Sequence, residues 1–326
     1  VVDRKAPQPT DGCAGSRGPL GVAGVVRFGL DHPAPPFRCA LAGRGTIERS
    51  SMADERPLED QIRLEYRGKI AWITIDRPEV GNALSPPARD RIRDLVEGLN
   101  RSYKARAIVL TAEGEKMFCP GADLSHQYPR DVKEGTPERV MGDARRMMLE
   151  GYYRAFPALM DSDLPIIAAV NGTAAGAGAH LALACDLVIM AEEAKLVEVF
   201  TRRGLVPDAL GSYLLPRLVG PQKAKELVFF AEDIPSDEAL RLGLVNKVVP
   251  RADLRGAATE WAERLAQGPT RAYALSKWLI NKSLDGNRQQ AIEDESWAVQ
   301  LNMFTEDANE GIASFRERRA PTWTGF

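Results

Sequence analysis

Pro165-Ile-Ile-Ala-Ala-Val-Asn-Gly-Thr-Ala-Ala-Gly-Ala-Gly-Ala-His-Leu-Ala-Leu-Ala-Cys-Asp186 runs a buried strand, a tight turn and a Gly/Ala-rich helix start together without a break. Ile166 to Val170 is a short β-branched apolar run, and Asn171-Gly172 is a turn dipeptide. Ala177 to Ala184 reads as a helix so poor in bulk that another backbone or a ligand can approach it closely. The first N–H groups of such a helix lack internal partners and lie at the positive end of its dipole, so they can stabilise charge developing on a carbonyl oxygen. Close helix-on-sheet packing alone would also account for the small residues.

A second segment favours the chemical reading. Gly114-Glu-Lys-Met-Phe-Cys-Pro-Gly-Ala-Asp-Leu124 follows the strand candidate Ala107 to Thr111, and its Gly121-Ala-Asp123 turn offers another exposed N–H. Two donors from separate loops make an oxyanion hole.

These segments belong to a larger pattern. Arg77-Pro-Glu-Val-Gly-Asn-Ala-Leu84, Phe118-Cys-Pro-Gly-Ala-Asp123, Ala168-Ala-Val-Asn-Gly172 with Gly176-Ala-Gly178, and Gly204-Leu-Val-Pro-Asp208 with Leu215-Pro-Arg-Leu-Val-Gly220 follow one another from about Leu58 onward. Asn309 to Arg319 adds a terminal helix. Order and spacing resemble the crotonase (enoyl-CoA hydratase/isomerase) superfamily. The resemblance implies a mixed α/β fold, a crotonase-like ββα spiral core with a C-terminal helical trimerisation region, and a homotrimer or dimer of trimers. It implies an acyl-CoA thioester substrate, with no cofactor beyond the coenzyme A of the substrate itself. By the same resemblance Ala122 and Ala177 are the oxyanion donors, and Ala83, Asp123, Leu124, Phe200 and Arg318 contact the substrate or its CoA.

The catalytic side chains depart from the hydratase pattern. Hydratases of the superfamily hold the attacking water with glutamates at the positions matching His180 and Phe200, and a phenylalanine can neither accept a proton nor orient water. Hydration here would need another carboxylate, such as Glu198. Asp208 remains. It matches an aspartate in relatives that shift double bonds, the dienoyl-CoA isomerases and the ring-opening isomerase of phenylacetate degradation, the latter being the nearest in pattern. One carboxylate in an apolar pocket can take a proton from one carbon and return it to another while the hole holds the enolate. A helix N-cap ahead of Leu210 is the structural alternative for Asp208. His180 is expected to orient Asp208 or the substrate, or else to be a satisfied helix residue. Dehalogenases of the superfamily need a histidine near Met148, and none lies there. A non-catalytic acyl-CoA-binding member is the remaining alternative. Val299 and Ser125 stand where an aromatic and a lysine are often found in relatives.

Composition agrees with a globular enzyme. The 326 residues are 44% hydrophobic and 27% charged with net charge −2, enough for a large core and without the basic field that nucleic acid requires. No apolar run is long enough for a membrane span. Cys13, Cys39, Cys119 and Cys185, with His32, His126 and His180, have no metal-type spacing. A cytoplasmic location is expected. Residues 1–55 carry no persistent period and are expected to be a disordered extension, with Met52 as a candidate native start. The core is expected over 56–250 and a helical oligomerisation region over 251–326.

Within the core, Ile62 to Tyr66 and Lys69 to Ile75 are expected to alternate as paired strands around Arg67-Gly68. Helices are predicted over Pro87 to Tyr103, Val140 to Met160, Gln222 to Ala231, Asp237 to Leu242, Asp253 to Gln267, Thr270 to Ser283 and Gln289 to Phe304. Leu187 to Met190 is predicted as a strand, and strands nearly vanish beyond Pro221. Leu124 to Glu150 would wall the acyl pocket.

Overall fold

The computed structural model describes residues 56–124, 133–137 and 140–326. The expected disorder of 1–55, the candidate start at Met52 and the positions of Ser125 and His126 lie outside them. After the short helix α1 (Leu58–Gln61), β1 (Ile62–Arg67) and β2 (Ile70–Ile75) form an antiparallel hairpin with Arg67 opposite Ile70 and Gly68 at φ 60°. Every residue of β2 is buried, so the expected polar face is absent: β3 (Ala107–Ala112) flanks it, and layers cover both faces. Between them runs α2 (Pro86–Ser102), whose Ser85 side chain caps the Ala88 N–H and whose Ile92, Val96 and Leu99 reach the core.

Beyond α2 the core is built by repeating one strand pair. β3 is succeeded by β4 (Met117–Cys119), β5 (Ile166–Val170) by β6 (Thr173–Ala175), and β7 (Leu187–Ala191) by β8 (Lys195–Val197). The first strand of each pair joins a large sheet ordered β1-β2-β3-β5-β7-β10, and the second joins a small sheet ordered β4-β6-β8-β9. From β2 onward the large sheet is parallel, with β10 (Lys247–Val249) at its edge, and β9 (Asp233–Pro235) closes the small sheet antiparallel to β8. This is the spiral that the motifs imply. The small-sheet strands escape sequence reading because three residues are too few to carry a period.

The helix predicted over Val140 to Met160 is two helices, α3 (Asp143–Glu150) and α4 (Tyr152–Met160), broken at Gly151. A Cβ on Gly151 would lie 2.2 Å from the Arg89 guanidinium, which also stands over the Tyr152 ring. Helix α5 (Ala177–Leu183) is wholly buried. Helix α6 (Gly211–Phe230) kinks at Gly220 (φ 78°), ahead of Pro221, joining two segments that the sequence presents as separate helices.

Beyond α7 (Ser236–Arg241), α8 (Leu254–Ala266) lays Leu254, Ala257, Ala258, Ala262 and Ala266 on the large sheet. Lys277 of α9 (Thr270–Ser283) fastens the helical region to the core, donating to Leu159 O at 2.8 Å and to Asp186 at 2.9 Å. Arg106 does the same through Thr270, the Gly268 carbonyl and Trp323 O. Helices α10 (Arg288–Asn302) and α11 (Glu306–Glu317) expose Trp297 and Phe315, and the turn between them exposes Phe304. No helix among the described residues is long and apolar enough to cross a membrane.

Candidate active site

The motif around Asn82 builds the loops before it builds any chemistry. Asn82, in the left-handed region at φ 64°, accepts from the Arg77 N–H and donates to the Glu113 and Met117 carbonyls. Arg77 in turn donates to the Ala83 carbonyl and pairs with Asp123 at 3.2 Å, both side chains buried. The Ala83 carbonyl and the Asp123 carboxylate are thus engaged within the protein, and they hold the Gly121-Ala122-Asp123 turn beside Leu84.

That turn has a specific polarity. Leu84 donates to Gly121 O and accepts from Asp123 N, a parallel bridge around Ala122 in which the Ala122 N–H takes no part. The N–H of Ala177, first in α5, is likewise beyond the reach of an intrahelical acceptor. Neither donates to a partner among the described residues. The two loops touch: a Cβ on Gly121 would lie 3.3 Å from Ala177 N, and one on Gly178 would lie 2.0 Å from Cys119 O. Glycine at both positions lets the two loops approach. Burial pushes the Cys119 thiol beneath this contact up to about 12, so it stays protonated.

One turn along α5, His180 is fully buried. Its Nε2 lies 3.0 and 3.2 Å from the two carboxylate oxygens of Glu198, itself 1% exposed just after β8. Phe200 stacks on the ring at 5.5 Å between centroids and 14° between planes. The third side is Gly211, where a Cβ would fall 2.0 Å from His180 Cε1, 2.3 Å from Nε2 and 2.8 Å from Nδ1. Gly211 N donates to Asp208 O, so the turn that carries Asp208 is the turn that meets the imidazole edge.

Asp208 is half-buried, and its Oδ1 is shielded from water with no hydrogen-bond partner among the described residues. Burial, the largest effect, holds its carboxyl above the usual carboxylate range. Asp208 is followed by two left-handed non-glycine residues, Ala209 (φ 47°) and Leu210 (φ 66°).

The structure therefore brings Ala122, Ala177, His180, Phe200 and Asp208 into one neighbourhood. Leu124 is exposed where the described loop ends, and Arg318 is exposed at the left-handed C-cap of α11, a helix that packs on α9. An apolar cleft of about 440 Å³ lies at the other end of α5, between Leu183–Leu187, α6 and α9, and includes neither His180 nor Asp208. Glu198 as the partner of His180 is the feature that sequence reading missed. A lone acid in Leu196-Val197-Glu198-Val199-Phe200 and a lone histidine in an alanine helix are the signal, since two polar groups in apolar elements require partners. No cluster of potential metal ligands occurs among the described residues.

Comparison with known proteins agrees with this architecture. The family model described as enoyl-CoA hydratase/isomerase matches residues 65–325. The chain belongs to the enoyl-CoA hydratase/isomerase family. A Rhodobacter capsulatus protein named "Probable enoyl-CoA hydratase" is 39% identical over 81% of this chain and 98% of its own length. The 1,2-epoxyphenylacetyl-CoA isomerase of Escherichia coli is 33% identical over 78% of this chain and 95% of its own. The crystal structure of an enoyl-CoA hydratase from Bacillus anthracis superposes with a TM-score of 0.73 at 32% identity, over 82% of this chain and all of that one. Hydratase and isomerase are thus both represented among family members of similar sequence.

Proposed function

We propose that this enzyme isomerises an enoyl-CoA, moving a double bond between the β,γ and α,β positions or rearranging a ring-derived acyl-CoA. The observation that carries the reading is Asp208: a half-buried carboxylate with a shielded, unpartnered oxygen, on the turn that meets the helix carrying Ala177. The thioester oxygen would lie between the N–H groups of Ala122 and Ala177, which stabilise the enolate. Asp208 would take a proton from Cα and return it to Cγ; the electron pair of the broken C–H bond passes into the dienolate and back to carbon. A base raised by burial is matched to a weakly acidic carbon. Leu205 and Val206, exposed just before Pro207-Asp208, offer an apolar surface to the acyl chain.

Several relatives are named hydratases, which favours water addition as the second reading. In this chain the carboxylate for it would be Glu198, and Glu198 is buried against His180. The exposed apolar side chains of α10 and α11 support association into a trimer or dimer of trimers, in which Arg318 of a neighbouring copy would reach the CoA.

The test is deuterium uptake from heavy water into β,γ- and α,β-enoyl-CoA thioesters, wild type beside Asp208→Asn. Exchange and isomerisation by the wild type, without the mass of added water, should fall about 10²- to 10⁴-fold in the variant. Equal exchange in both proteins would remove Asp208 from the mechanism, and hydrated product from the wild type would replace the isomerase reading with the second one.

A further inference from the structure

In the isomerisation proposed above Glu198 has no role of its own, yet it is buried against His180. Two polar side chains are sealed in the interior with one hydrogen bond between them, and the imidazole is held on three sides: Glu198 at Nε2, Phe200 on the face, Gly211 along the edge. Of the two nitrogens, one is committed to Glu198 and the other, Nδ1, is buried without a partner among the described residues. Gly211 of the Asp208 turn meets the ring at Cε1, between the two nitrogens; a Cβ there would lie 2.3 Å from Nε2 and 2.8 Å from Nδ1.

We propose that Glu198 is a positioning residue whose buried carboxylate holds His180 as the Nε2–H tautomer, leaving Nδ1 as a bare acceptor beside the turn of Asp208. A carboxylate only accepts, so the nitrogen facing it carries the hydrogen. The consequence rests on Asp208 being the base. A bare Nδ1 cannot donate to the Asp208 carboxylate, which therefore keeps its basicity. Once Asp208 has taken a proton from carbon, its O–H can donate to Nδ1, so the proton stays in place until the dienolate takes it back at the other carbon. The opposite tautomer would put N–H toward Asp208, stabilise its anion and weaken the base.

The test combines a spectrum that needs no activity with a rate. The full chain labelled with ¹⁵N-histidine, its His180 signals assigned with His180→Asn, should show a protonated Nε2 and a bare Nδ1. In Glu198→Gln the amide can accept or donate, so an Nδ1–H population should appear. Deuterium exchange should slow about 10- to 100-fold in kcat, with KM within about twofold. The double variant His180→Asn/Glu198→Gln keeps a hydrogen-bonded buried pair without an imidazole; it should melt like the wild type and exchange as slowly as the single variant.

An Nδ1–H in the wild type overturns the proposal, as does a Glu198→Gln protein with unchanged tautomer, whether its rate is unchanged or falls only with its melting temperature. Loss of exchange in Asp208→Asn with full exchange in Glu198→Gln would sink the positioning role and leave the base in place. Full exchange in Asp208→Asn, with the tautomer result as expected, would remove the base and leave Glu198 holding His180.

Discussion

On the side of Ala122 and Ala177 the site is backbone laid against backbone, with Gly121 and Gly178 removing the side chains that would keep two loops apart. On the side of Asp208 it is side chain held by side chain: Glu198 on His180, Phe200 over the ring, and a turn of two left-handed residues bringing Gly211 against it. The first half achieves its geometry through close packing, and a single added methyl suffices to disturb it. The second half depends on where protons and charges sit, and it carries local backbone strain to place them. Donors that need only be present can be fixed by sterics. The Asp208 carboxylate, proposed above as the base, is unsatisfied and half-buried, which disfavours the folded state at neutral pH.

The sharpest way to break this contrast is Gly178→Ala. Its Cβ would sit 2.0 Å from the Cys119 carbonyl oxygen, so either the loop of Cys119 or the start of α5 must withdraw. We expect a loss of about 3 kcal/mol in urea denaturation, the upper end of overpacking costs, together with loss of exchange activity as Ala122 and Ala177 separate. A variant within about 1 kcal/mol of wild type would mean that the two loops are not held by contact.

A smaller effect, opposite in sign, is expected from Asp208→Asn. Burial raises the folded Asp208 above its ordinary value of 3.8. A carboxyl raised in this way contributes its stability below the unfolded value and loses it as pH rises through the folded one. The asparagine has no proton to lose, so the variant should be the more stable protein at neutral pH, by no more than about 4 °C in Tm. The gap should close as pH falls from the raised value towards 3.8. A variant less stable than wild type at pH 7 would mean that Asp208 is satisfied in the fold, against the reading of it as a poised base.

The same division decides what the sequence reveals. Gly176-Ala-Gly178 announces close approach by its smallness and Asn171-Gly172 announces a turn, while the strands within Ile62 to Ile75 announce themselves by alternation and those of Ala107 to Ala112 and Ile166 to Val170 by apolar runs. The break at Gly151 depends on Arg89, sixty-two residues away along the chain, and no local period reports it. The three-residue strands of the small sheet are fixed by their neighbours rather than by their own composition. Glu198 and His180 lie eighteen residues apart on different elements, so each is visible as an oddity and their pairing only as a tertiary fact.

The finest test compares two deletions of the same methyl. Ala179 and Ala209 are both fully buried, one in α5 and one in the turn after Asp208. In α5, Ala179→Gly loses about 0.8 kcal/mol of burial and about 1 kcal/mol of helix propensity, close to 2 kcal/mol in all. Ala209 sits at φ 47°, where an L-residue is held at a cost of about 1–2 kcal/mol that glycine does not incur. That relief offsets the lost methyl and the looser unfolded chain, about 0.8 and about 0.4–1 kcal/mol, so Ala209→Gly should unfold within about 0.5 kcal/mol of wild type. Exchange should nevertheless slow, because a glycine there frees the turn that sets Asp208 against His180. Equal costs for the two variants would mean that the turn is not strained, and the Asp208 half would then be built by packing, as the hole is.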